Sequence, residues 1–123
     1  MKIGRLKKRP QFLKITNKGH KAITKSFVVF CHFGFIDPSD PRAPSDTDLV
    51  YGLTVTKKIG NAVVRNRIKR RLRHMIASVQ PDIPEPFQNA GLVIIGRPAA
   101  RDRDFSDLCA ELKKCLNWLK KQA

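Results

Sequence analysis

The stretch that most constrains this chain is VVRNRIKRRLRHMIASV, residues 63–79. Val64, Ile68, Leu72, Met75, Ile76 and Val79 recur at helical spacing and gather into one apolar stripe. Asn61 stands where such a helix wants a cap. Asn66, Arg67, Arg70 and Arg73 fall on the opposite face, with Arg65 and Lys69 on one flank. Six of the nine residues from Arg65 to Arg73 are basic, and no Glu is interleaved to form the i,i+4 pairs of an ordinary solvated helix. Any fold that accepts this segment must bury the stripe and turn the bases toward an anion.

The rest of the charge agrees. The chain carries 25 Lys and Arg against 10 Asp and Glu, a net of +15. Residues 1–36 and 49–81 contain no acid, and those two stretches hold 17 of the 25 bases. The acids gather elsewhere: Asp37, Asp40, Asp46 and Asp48 in a Pro-rich loop, and Asp102, Asp104, Asp107 and Glu111 around the start of the last helix, where the helix dipole favours them. One basic run is usually a solvated face; two long acid-free runs give the molecule a binding side for a polyanion. An anionic membrane surface is the weaker partner, because the apolar stripe is needed for the core and only charge is left for lipid. The longest apolar run, Phe27 to Cys31, is far too short to span a bilayer. With 123 residues, 1–123 read as one domain, and 41% hydrophobic residues are enough to give it a core.

Periodicity and punctuation predict six elements. Residues 10–19 read as a short helix with Pro10 at its first position and Gly19 as the left-handed residue that ends it. Residues 26–35 read as a strand, 37–48 as a loop, and 49–57 as a second strand with Tyr51, Leu53 and Val55 on one face and Gly52, Thr54 and Thr56 on the other. After the basic helix, 80–90 form a Pro-rich connection, and 91–97, apolar on both faces, read as a fully buried strand. A last helix over about 105–121 sets Phe105, Leu108, Cys109, Leu112, Leu116 and Leu119 on one stripe. The order is α-β-β-α-β-α, an α+β sandwich with helices on a short sheet. The 37–48 loop fits a hairpin between the first two strands, and the basic helix bridges the second and third as a βαβ unit.

Chemistry-bearing constellations are sparse. No P-loop, H-E-x-x-H or recognisable Ser-His-Asp or Cys-His signature occurs. Asp46 and Asp48 make a D-x-D, but Leu49 and Val50 follow where a calcium loop wants Asp or Asn and Gly. Cys31, Cys109 and Cys115 form no C-x-x-C, which suits free thiols in a reducing cytoplasm. Neighbouring Cys31 and His32 point to opposite faces of one strand. No apolar h-region follows the basic start, so no signal peptide is expected.

KKIGNAVVRNRIKRRLR, Lys57 to Arg73, resembles the signature of the bacterial ribonuclease P protein component, which centres on an Arg-Asn-Arg core (here Arg65, Asn66 and Arg67) preceded by Gly-Asn-Ala-Val, Gly60 to Val63. RLKKRPQF, Arg5 to Phe12, resembles the family's N-terminal segment, and VIIGRPAA, Val93 to Ala100, its last strand with the following Arg. Gln11 stands where an acid usually precedes the Phe, Thr16 replaces a commonly apolar or aromatic position, and the loop after the first strand is longer and richer in Pro.

The resemblance implies a single domain similar to ribosomal protein S5 domain 2-like folds, with a left-handed βαβ crossover where chain physics alone favours a right-handed one. It implies the protein subunit of a ribonucleoprotein that removes the 5′ leader of precursor tRNA, its chemistry carried by the RNA subunit and by Mg2+ held through that RNA. No catalytic residue, cofactor or metal is expected in the protein itself, and no membrane or stable protein partner. The expected contacts to the catalytic RNA are Lys58, Asn61, Arg65, Asn66, Arg67, Lys69, Arg70 and Arg73; those to the leader are Lys8, Arg9, Phe12, Val28, Phe30, Thr54, Thr56 and Lys57. The alternative is a structural RNA-binding protein of ribosomal type, which composition alone would fit equally well.

Overall fold

The computed structural model describes residues 2–42 and 47–123; Pro44 and Asp46 of the acidic loop, and with Asp46 the D-x-D pair, lie outside the described residues. Along the chain come β1 (Ile3–Arg5), α1 (Arg9–Lys18), β2 (His20–Ile23), β3 (Phe27–His32), β4 (Leu49–Thr54), α2 (Ala62–Val79), β5 (Gly91–Gly96) and α3 (Phe105–Lys120). The six expected elements are present, and two short strands, β1 and β2, join them. Three and four residues long, β1 and β2 carry too little pattern to be read from sequence.

The five strands form one sheet in the order β1-β4-β5-β3-β2. β1 and β5 run parallel to β4, while β3 is antiparallel to both β5 and β2. The expected hairpin between β3 and β4 is therefore not formed: β5 lies between them. The reason is in β5 itself. Leu92, Val93 and Ile94 are all buried, and a strand apolar on both faces needs strand neighbours on both edges and cover above and below. The hairpin is instead β2–β3, and the long loop carries the chain past the end of β5 to the other half of the sheet.

One sheet face supports the main core. Phe27, Val29 and Cys31 of β3, Leu92 and Ile94 of β5, and Leu49 and Tyr51 of β4 meet the α2 stripe, Ile68, Leu72, Met75, Ile76 and Val79, and the α3 stripe, Leu108, Leu112, Leu116 and Leu119. Asn61 caps α2 as expected, its Oδ1 accepting from the Val64 N–H at 3.0 Å. Asp104 does the same for α3, accepting from the Ser106 N–H at 2.9 Å. Among the described residues no helix is long and apolar enough to cross a membrane.

The other sheet face has one helix, α1, and a narrow seat for it. A Cβ on Gly91 would lie 2.6 Å from the fully buried Ile15, and one on Gly52 would lie 2.3 Å from the Phe12 ring. Gly19 ends α1, but with φ −86° and ψ 164° it is extended rather than left-handed. Its lack of a side chain serves close approach instead, since a Cβ there would lie 2.5 Å from the Ile15 carbonyl oxygen and 2.7 Å from that of Cys31. Among the described residues the left-handed positions are Gly34, at φ 74°, just after β3 ends three residues earlier than expected, and Asn89, at φ 65°, just before β5.

Candidate nucleic-acid interface

The cross-strand register builds the α1 face of the sheet as rows. Gly52, Val93, Phe30 and Lys21 lie side by side in one row, and Thr54, Ile95, Val28 and Ile23 in the next. α1 covers only part of these rows, so Val28, Phe30, Thr54 and Ile95 stay half-buried and Ile23 is 61% exposed. A groove of about 440 Å³ opens along the edge of α1, where Arg9, Phe12, Leu13 and Thr16 face Thr54, Val93 and Ile95. Its floor is apolar and its rim is basic, which suits an unpaired base on the floor and a phosphate at the rim.

The expected leader-binding residues fall into three groups. Arg9, Phe12 and Thr54 line this groove together. Val28 and Phe30 share its sheet face but lie beyond β5, not on a strand adjoining Thr54, so they extend the surface past the groove wall. The Lys21 ammonium lies 5.9 Å from the centre of the Phe30 ring. Lys8 is exposed just before α1. β4 ends at Thr54, so Thr56 and Lys57 are exposed at a 3-10 turn, Lys57–Ile59, rather than in the strand.

Lys69, expected on the RNA side of α2, also lines the groove, together with Val55 at its far end. It links the two surfaces. The helical wheel had placed Lys69 and Arg65 on one flank, and only the tertiary fold shows that this flank turns toward α1. The groove residues not foreseen are Leu13, Thr16, Leu53, Val55, Val93 and Ile95. The signal available for Val93 and Ile95 was the strand alternation of β5, which has no polar side to mark the open face.

On the outer face of α2, Asn66, Arg67 and Arg70 are exposed, while Arg65 and Arg73 are half-buried. Among the described residues the ion pairs are Arg42–Asp40, Arg101–Asp102, Arg103–Glu111 and Lys113–Asp82, and none involves a base of α2. Two of the helix's arginines have backbone partners. Arg67 Nε donates to the Arg101 carbonyl at 3.3 Å, and Arg71 donates to the carbonyls of Ala100 and Arg103, which pins the turn after β5 onto the helix. The buried Nε of Arg65 has no hydrogen-bond partner. Lys58 and Asn61 are exposed where the chain enters the helix.

His32 lies on the α1 face, in edge contact with Phe35 at 6.1 Å between ring centres. Burial holds its pKa below 6.5, and the positive charges of Lys14 and Lys18 push the same way. Burial lifts the Cys31 thiol to about 12 and the Cys115 thiol to about 11, so both are protonated and unreactive near neutrality. Among the described residues no three His, Cys, Asp or Glu side chains gather as metal ligands.

Comparison with known proteins adds the following. The family model for Ribonuclease P matches residues 1–120. A ribonuclease P protein component of Gluconacetobacter diazotrophicus is 43% identical over 112 residues, covering 91% of this chain and 87% of that protein. One from Streptococcus thermophilus is 34% identical over 116 residues, 94% and 92% of the two chains. The RNase P protein from Thermotoga maritima superimposes with a TM-score of 0.68 at 27% identity, covering 95% of this chain and 96% of that one. The Staphylococcus aureus RNase P protein does so with a TM-score of 0.68 at 29% identity over 93% of each.

Proposed function

This chain belongs to the ribonuclease P protein family, and from that premise we propose that it binds the catalytic RNA of the ribonucleoprotein and the 5′ leader of precursor tRNA. One observation carries the reading: the outer face of α2 has no ion-pair partner among the described residues, and its flank, through Lys69, runs into the half-covered sheet face. Arg67 and Arg70, exposed, and Lys69, half-buried at the groove, match RNA phosphates, the arginines as planar forks and Lys69 as a point charge. The half-covered face offers Phe12 and Phe30 for stacking. Stacking is tolerant of base identity, as a site receiving many different leaders requires.

In this reading the phosphodiester is hydrolysed by the RNA subunit in the cytoplasm, with Mg2+ held through that RNA. The lining of the α1 groove contains no carboxylate, and α2 itself carries neither Asp nor Glu. The chain's own residues do three things. α2 docks the RNA, Lys69 joins the two surfaces, and the α1 groove holds the unpaired strand that leads to the scissile bond.

Reconstitution tests this. The purified chain, mixed with a bacterial ribonuclease P RNA and precursor tRNA at low magnesium, is expected to restore mature 5′ ends that the RNA alone yields poorly. A chain that binds the RNA tightly and leaves cleavage unchanged would be a structural RNA-binding protein instead.

A further inference from the structure

A concavity of about 1160 Å³ lies on the far side of β2 from the α1 groove and meets the half-covered sheet face only at its edge, through Lys21 and Ile23. It runs between the outer edge of the sheet, β2, and α3. Ala22, Ala99 and Cys115 contribute small apolar lining, and Trp118 stands in its wall, 49% exposed. The indole stands at the edge of the buried stripe, beside exposed Lys114, and is not required by the core, which α3 fills with Leu108, Leu112, Leu116 and Leu119.

The charge around this groove is one-sided. Lys25, Arg97 and Lys114 line it with exposed side chains. The Arg97 guanidinium is held in place by donating to the Thr24 carbonyl at 2.9 Å. Glu111 is the one acid among the lining residues, and it is already engaged, accepting from Ser26 Oγ at 2.9 Å and pairing with Arg103 at 3.5 Å. The groove thus presents an aromatic plane flanked by cations whose charge nothing within it cancels. That combination matches a single-stranded polynucleotide, with one base on the indole and neighbouring phosphates on Lys25, Arg97 and Lys114. A protein partner that used only the apolar wall would leave these three cations without counter-charge, whereas a polynucleotide meets the indole and the cations with one repeating unit.

We infer that the β2–α3 groove is a second single-stranded RNA site, with Trp118 as its stacking platform. The inference rests on the proposed function only in choosing RNA among polyanions.

Trp118 is the sole tryptophan of the chain, so its emission reports on this groove alone. The full-length protein is titrated with a short dye-labelled oligouridylate while indole emission and dye anisotropy are followed together. Salt-sensitive quenching of Trp118 is expected. Lys25→Ala and Lys114→Ala should each raise the half-quenching concentration about three- to fivefold, as for one lost phosphate contact, while Phe12→Ala, in the α1 groove and outside the β2–α3 lining, leaves it unchanged. Anisotropy that saturates with indole emission constant would overturn the proposal. So would quenching that Phe12→Ala abolishes and the two lysine variants leave intact. Emission that shifts with protein concentration in the absence of RNA would assign the groove to a second copy of the chain. Reconstituted cleavage that succeeds while the indole stays silent would remove this site and leave the proposed function standing.

Discussion

Gln11 shows how one residue can depart from an expected pattern and keep the job. Its Oε1 reaches back to the N–H groups of Lys7 and Lys8, at 3.4 and 3.3 Å, and so serves the open amino end of α1. Gln11→Ala should cost about 1 kcal/mol in denaturant unfolding, and Gln11→Glu should recover the loss by adding a charge favourable to the helix dipole. His32 gives a pH dependence with a definite sign. Its folded pKa is lowered, so the unfolded chain binds the proton first as pH falls below 6.5. The stability it contributes is complete above 6.5 and declines from there down to its folded pKa. An NMR titration of the His32 ring in the intact protein should show a midpoint below 6.5, and a midpoint at or above that value would remove the effect.

At the scale of elements, α2 carries two kinds of arginine, and they should fail differently. Arg70→Ala is expected to weaken RNA binding and lower the log–log salt slope by about 1 with the unfolding midpoint little changed; Arg67→Ala should do the same and also lose its exposed bond to the Arg101 carbonyl, at a cost of about 0.5–1 kcal/mol. Arg71→Ala removes the bonds to Ala100 and Arg103 and should cost about 2 kcal/mol of stability with the salt slope nearly intact. How much could be read in advance follows the same division. The α2 stripe, its Asn61 cap and its basic face were legible because an amphipathic helix states its own periodicity. The partners of Arg71 were not, because they are backbone carbonyls some thirty residues away that no side-chain pattern encodes. Gly19 was legible as a helix end but not in its reason, which is contact with Cys31 on another strand. The open face of the sheet was half legible: strict alternation along a strand over 26–35 sets Val28 and Phe30 on one face, yet only the strand order shows β5 lying between them and Thr54.

For the molecule as a whole, the two surfaces predict a separation of functions. Phe30→Ala should weaken holoenzyme binding to precursor tRNA with a leader of several nucleotides, by about the 1–3 kcal/mol of one stacked base. Mature tRNA, which has no leader, should bind as before, and so should the catalytic RNA. Equal losses for both tRNAs, measured by filter binding on a folded variant, would take Phe30 out of the leader's path. The strand order has one more consequence, and it concerns time. β1 pairs only with β4, and β2 only with β3; these two half-sheets share no edge until residues 91–96 arrive between them. The joining strand follows both half-sheets in sequence, so the contacts that unite them are long-range. The sheet therefore closes only once residues 91–96 are in place, and before that the chain offers RNA separate basic segments instead of a formed surface.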